Sequence, residues 1–151
     1  MCCAEIQTAF KANLDCFDHA TSAEEKGRQF SIELAKGSAE KFCRVHVDGC
    51  LIDDSALEKC DYVFLRCSNS DIYFVELKGR DVEKAFDQIV ATIGHFKAKM
   101  KLEQRSIFGF IVASKVKLPK GSTDIANMKK QFAKKHGKAL AMQTNKLLHR
   151  V

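Results

Sequence analysis

Asp61, Glu76 and Lys78 form an acid, acid and base set of the kind that can hold a metal ion and activate a water. Asp61 opens the apolar run Tyr62-Val-Phe-Leu65, and Glu76 and Lys78 close the run that begins at Ile72. Alternate residues of a strand share a face, so Glu76 and Lys78 project together with Ile72 and Phe74. An acid and a base thus interrupt an otherwise apolar face, and such local violations are expected where a protein does something other than pack. Between the two runs lies Ser68-Asn-Ser-Asp71, a set of turn formers. A turn centred between Asn69 and Ser70 puts Asp61 opposite Lys78 and diagonal to Glu76, about 7–8 Å apart. Two carboxylates at that separation can share one hard cation at about 2.1 Å from each oxygen. Glu-x-Lys by itself is a weak signal, because Glu24-Glu25-Lys26 also satisfies it. An Asp, a strand, a turn, a strand and then Glu-x-Lys is far more specific.

The elements that would position these residues follow from periodicity. Ile6, Phe10, Leu14 and Phe17 recur at helical spacing. Ser22-Ala-Glu-Glu25 has the form of a capping box and predicts a second helix, with Phe30 and Leu34 on one face and Gly37 as its stop. Phe42–Ile52 alternates apolar and polar residues as a half-buried strand does. With the two runs above it predicts a three-stranded antiparallel meander. Asp81 can cap a helix whose buried stripe is Val82, Ala85, Phe86, Ile89, Ile93 and Phe96. Ile107–Ala113 reads as a buried strand. Ser122 or Thr123 can cap a last helix that stops at Gly137, and Leu140 and Met142 predict a short final strand. The expected order is α-α-β-β-β-α-β-α-β.

Asp61, followed by Glu76-Leu-Lys78-Gly79 at the end of an apolar strand, resembles the PD-(D/E)xK nuclease superfamily, which includes type II restriction endonucleases and Holliday-junction resolvases. The resemblance covers about residues 22–114 and implies an α/β fold. Its restriction-endonuclease-like αβββαβ core would be a mixed central sheet flanked by helices. An extra N-terminal helix and a C-terminal αβ extension, 115–151, would complete a single domain of residues 1–151. It also implies an activity: Mg²⁺-dependent hydrolysis of phosphodiester bonds, with Mn²⁺ as a substitute, on DNA rather than RNA, leaving a 5′-phosphate. Asp61 and Glu76 are similar to the metal-binding carboxylates, and Lys78 to the lysine that positions the attacking water. Gln88 resembles a glutamine that some members carry on the following helix. Glu33 is the candidate for a further metal-binding Glu on the helix before the first strand. Lys26-Gly27 also resembles resolvases, though in their register Ser31 would stand where that Glu belongs. Cys60 stands where many members have Pro. His46 and Asp48 leave the first strand on its polar side and could approach the site. A non-catalytic nucleic-acid-binding or regulatory subunit with the same fold is the alternative, and the intact set of three argues against it. A third possibility is an unrelated small α/β interaction protein in which the three residues meet by chance.

Charge and composition bear on partners and compartment. Of 25 Lys and Arg, 14 lie in residues 95–151, beside only Glu103 and Asp124, a local net charge of +12, whereas residues 1–94 carry −6. Such a basic segment suits a polyanion, and Lys129, Lys130, Lys134 and Lys135 are the first candidates for phosphate contacts. The other reading is a solvated lysine face. No separate recognition domain is evident, so a homodimer or partner subunit could supply specificity. With 46% hydrophobic and 29% charged residues the composition is globular. The longest apolar stretch, Ile107–Ala113, is too short to span a membrane. Cys2, Cys3, Cys16, Cys43, Cys50, Cys60 and Cys67 are odd in number and contain no Cys-x-x-Cys. Glu5 and Lys11 interrupt any signal-like run. The expectation is buried structural thiols in a reducing, cytoplasmic setting.

Overall fold

A computed structural model describes residues 2–77, 81–114 and 122–151. The chain opens with helix α1 (Cys3–Phe10), which turns Cys3 and Ile6 inward. It stops at Lys11, whose backbone is left-handed at φ 51°. The expected helix therefore does not reach Phe17, which instead begins the two-residue strand β1 (Phe17–Asp18).

The largest departure from expectation follows. Residues 22–33 form a hairpin of β2 (Ser22–Glu25) and β3 (Arg28–Glu33). Lys26 (φ 50°) and Gly27 (φ 81°) sit side by side with positive φ at its tip. That is the backbone of a two-residue primed turn, whose twist matches that of the strands. Phe30 and Ile32 are buried at a spacing of two, so a strand period overrides the capping-box signal.

Strands β4 (Phe42–His46), β5 (Tyr62–Arg66) and β6 (Ile72–Glu76) form the expected antiparallel meander. Helix α2 (Val82–Lys99) crosses over to β7 (Ile107–Ala113), and α3 (Ser122–Lys135) to β8 (Ala139–Thr144). Asp81 caps α2 by accepting from the Lys84 amide at 2.9 Å. The six-stranded sheet runs β1-β4-β5-β6-β7-β8 and is mixed: antiparallel up to β6, parallel from β6 to β8. A last strand, β9 (Lys146–Arg150), was not legible as a strand and pairs in parallel with β3, making a second sheet β2-β3-β9.

The molecule has three layers. Val63, Leu65, Ile72, Phe74 and Ile111 face Ile6, Phe86, Ile89, Phe96 and Phe132 from the helices. Tyr62, Phe64, Tyr73, Val75, Phe110 and Val112 face Ala23, Phe30, Ile32 and Leu147 from the small sheet. Burial on both faces explains why the central strands are apolar throughout. Among the described residues, helices therefore cover one face only, not both as expected, because the segment read as a second helix is a hairpin. The last 30 residues are no appendage: β8 completes the large sheet and β9 the small one. At the turn into β8 a Cβ on Gly137 would lie 2.6 Å from the Ile107 carbonyl oxygen, so no larger residue fits.

Six of the seven cysteines are paired: Cys2–Cys67, Cys3–Cys43 and Cys16–Cys50, with Cα–Cα distances of 5.3, 5.4 and 5.6 Å. This corrects the reading of them as free structural thiols and withdraws the argument for a reducing compartment built on it. Cys60 alone remains a buried thiol. Among the described residues no helix is long and apolar enough to cross a membrane.

Candidate active site

The β5–β6 ladder pairs Tyr62 with Val75 and Leu65 with Ile72. One step further, Asp61 faces Glu76, not Lys78 as a turn centred between Asn69 and Ser70 would require. The turn instead takes the four residues Cys67 to Ser70: the Arg66 amide reaches the Asp71 carbonyl at 2.8 Å, and Ser70 adopts φ 64°. The two acids thereby hold one another in place. The Asp61 amide donates to Glu76 Oε1 at 3.1 Å, and the Leu77 amide donates to Asp61 Oδ2 at 2.8 Å. Both lie on the helix-facing side, Asp61 7% exposed and Glu76 fully buried. Burying a carboxylate is costly unless hydrogen bonds compensate, and here backbone donors supply them. Lys78 lies outside the described residues.

Helix α2 supports this pair from one side. Thr92 Oγ1 accepts from the Cys60 amide at 2.7 Å and donates to the Gln88 carbonyl at 2.7 Å. Thr92 thus ties the residue before Asp61 to the turn of α2 that carries Gln88. Gln88 is 7% exposed and lines a cleft of about 360 Å³ with Asp48, Lys59 and Lys84. Burial, and then the charge of Glu76, push the Cys60 thiol far up, so it stays protonated and is no nucleophile. Lys59 fastens the loop before it, donating to the carbonyls of Asp54 and Leu57 at 2.7 and 2.9 Å.

From the other side the hairpin tip reaches the same place. Arg28 Nε donates to the Leu77 carbonyl at 2.9 Å, and Glu25 is its partner in the hairpin register. Burial and then the charges of Asp61 and Asp48 raise the Glu25 carboxyl, which places that acid within electrostatic reach of the pair. Neither Glu25 nor Arg28 was singled out in the sequence. The signal that could have found them is Lys26-Gly27, a turn dipeptide that brings its two flanking residues together.

Other candidates stand elsewhere. Glu33 ends β3, about 16 Å along the strand from Arg28, and its carboxylate takes Arg150 Nε at 2.7 Å. A strand in place of the expected helix removes it from the acids. His46 stacks on Tyr62 at 4.7 Å between ring centroids and neighbours the Arg44–Asp18 ion pair. Burial, and then Arg44, lower its pKa. Asp48 lies 3.9 Å from Lys59 Nζ. Among the described residues no group of three or more His, Cys, Asp or Glu is gathered to hold a metal ion. Lys134 and Lys135 close α3 beside the start of β8, which pairs with Phe108, while Glu76 pairs with Ile111 near the other end of β7. The charges of Lys97 and Lys135 add to burial in lowering His136, so the last turns of α2 and α3 adjoin. These lysines therefore gather at the end of the sheet away from the acids. Lys129 and Lys130 are exposed midway along α3. No family model, curated protein or solved structure matches this chain.

Proposed function

We propose that this protein is a metal-dependent nuclease that hydrolyses phosphodiester bonds in nucleic acid, DNA before RNA. The observation that carries the reading is the buried Asp61–Glu76 pair, clamped by reciprocal backbone hydrogen bonds at the end of β6. That strand is where the sheet changes from antiparallel to parallel. Strands β1, β2 and β3 stand between α1 and β4, so only the consecutive stretch β4, β5, β6, α2, β7, a βββαβ order, matches the part of the restriction-endonuclease-like core that follows its first helix.

The donor set suits a hard cation, because Mg²⁺ is bound through one or two carboxylates and keeps several waters. Asp61 and Glu76 would hold it. Once bound, such an ion lowers the pKa of a water and polarises a phosphoryl oxygen. Lys78, two residues past Glu76, would orient the water and counter the negative charge that grows on the phosphoryl oxygens. Gln88, fixed by its turn of α2, would line the approach through the adjoining cleft. Lys129, Lys130, Lys134 and Lys135 would hold backbone phosphates further along the substrate. A second copy or a partner subunit would supply sequence choice.

The test is incubation of supercoiled plasmid, single-stranded DNA and RNA with and without Mg²⁺ or Mn²⁺, beside calorimetric titration with Mn²⁺. Cleavage should need the metal. Asp61→Ala and Glu76→Ala should each lose about 10³-fold or more, because the Lewis acid and the activated water go together. Near wild-type cleavage in either variant would overturn the assignment.

A further inference from the structure

The acid end of the sheet poses an electrostatic problem for any phosphate. Asp61 and Glu76 are in contact, and Glu25 lies within electrostatic reach of both Asp61 and Asp48. A substrate phosphate adds another negative charge. At the same place the hairpin tip presents Arg28. One residue links it to the pair: the Leu77 amide donates to Asp61 Oδ2 at 2.8 Å, and the Leu77 carbonyl accepts from Arg28 Nε at 2.9 Å. That hydrogen bond uses one guanidinium nitrogen. Among the described residues, the two terminal nitrogens make no further hydrogen bond, and Arg28 is only partly buried. A guanidinium held by Nε offers its terminal N–H groups as a fork that matches two phosphate oxygens. The tip is stiff, because two adjacent positive-φ residues and the β2–β3 ladder fix where Arg28 emerges.

The geometry points to Arg28 as the residue that grips the non-bridging oxygens of the phosphate being cut, delivered by the β2–β3 hairpin. This rests on the hydrolytic reading of Asp61 and Glu76. Arg28 then neutralises the phosphate as it enters the acidic end and stabilises the charge that builds on its oxygens. Its Nε bond to Leu77 sets the guanidinium relative to Asp61. A structural brace would need only that bond, whereas phosphate recognition also needs the fork.

Arg28→Met and Arg28→Lys separate these roles, the second keeping a charge and a donor for the Leu77 carbonyl. Single-turnover cleavage should fall about 10²–10³-fold in Arg28→Met, the scale for one preorganised donor. In Arg28→Lys it should fall at least about tenfold, because a point charge replaces the fork. Binding of a phosphorothioate duplex in Ca²⁺ gives a readout independent of turnover. The slope of log K against log salt should drop by about 0.9 in Arg28→Met, the value for one phosphate. Mn²⁺ should raise the melting temperature of wild type and both variants alike. Wild-type rate and salt slope in Arg28→Met, or full activity in Arg28→Lys, would overturn the role of Arg28 and leave the nuclease reading standing. If Arg28→Met does not fold, Arg28→Lys decides. A wild-type protein that neither cleaves nor binds Mn²⁺ would overturn both.

Discussion

The two ends of the six-stranded sheet are held by different means. At one end, Cys2–Cys67 and Cys3–Cys43 fasten α1 to β4 and to the residue after β5. There Glu40 takes Arg66 at 2.9 Å and the Ser68 hydroxyl at 2.8 Å. At the other end, Asp61 and Glu76 are fixed by backbone donors, Cys60 by Thr92, and Leu77 by Arg28. One crosslink, Cys16–Cys50, reaches that side, at the loop after β4. Crosslinks act on the unfolded chain and place no functional group, so they serve wherever the chain must only stay put. Carboxylates that must meet a cation need directional partners within hydrogen-bond reach, and only neighbouring backbone and side chains can supply them.

If this division is real, variants at the two ends should move different observables. Removing a crosslink at the far end is the largest perturbation of stability. Cys3→Ser with Cys43→Ser opens a loop with a sequence separation of 40. It should cost about 4 kcal/mol, or about 10 °C in melting temperature. Below the transition Mn²⁺ affinity should be unchanged. A loss of affinity comparable with that of Asp61→Ala would show the two ends to be coupled.

Thr92→Val probes the opposite case, a stabilising hydrogen bond inside the acid end. It leaves the buried Cys60 amide without an acceptor, which costs about 1–3 kcal/mol. Because Cys60 precedes Asp61, calorimetry should also show weaker Mn²⁺ binding, and Thr92→Ser should restore both. Reduced stability with wild-type metal affinity would mean that Thr92 only packs.

The lysines of α3 should respond to salt. Lys134 and Lys135 belong to the crosslinked end, so their neutralisation should lower duplex affinity and leave the single-turnover rate unchanged at saturation. For every phosphate that the variant no longer neutralises, the slope of log K against log salt should shrink by about 0.9. A slope unmoved by all four changes, Lys129 and Lys130 included, would make α3 a solvated face.

Glu25 should show the smallest effect, visible in a pH series. Its carboxyl is raised by burial and then by Asp61 and Asp48. The native state therefore holds this proton more tightly than the unfolded chain does. The associated stability is present below the ordinary glutamate value of about 4.3 and is lost as pH rises through the raised value. Glu25→Gln should flatten that decline and raise the melting temperature at neutral pH in the absence of metal. An unchanged pH profile would place Glu25 outside the field of the acid pair.

Much of this was legible in the chain. The meander, the Asp81-capped helix, the strand Ile107–Ala113 and the last helix follow from period and caps, which are local signals. Asp61 and Glu76 were legible as a pair because acids at the two outer ends of a strand–turn–strand are opposite or diagonal neighbours in either of the closest registers. Which register holds was not legible: a turn centre moved by one position shifts the pairing by two, and the tetrad 68–71 fits either. The segment 22–33 misled because Ser-x-x-Glu and Lys-Gly are both valid local signals. The choice between them came from partners far away, Leu147 on β9 and Phe64 on β5.

Local sequence is enough to place the central apolar strands, the start of the long helix, and two acids at the open end of one hairpin. Each of those rests on a period, a cap or a single turn within one stretch of the chain. Long-range packing decided that Cys2, Cys3 and Cys16 close crosslinks and that Glu33 is spent on Arg150. It also decided that the lysines of α3 gather away from the acids and that Arg28 reaches Leu77, 49 residues away. Those are meetings between distant segments, set by the packing of a small sheet on one face of a larger sheet and of helices on the other. No local period or spacing encodes them.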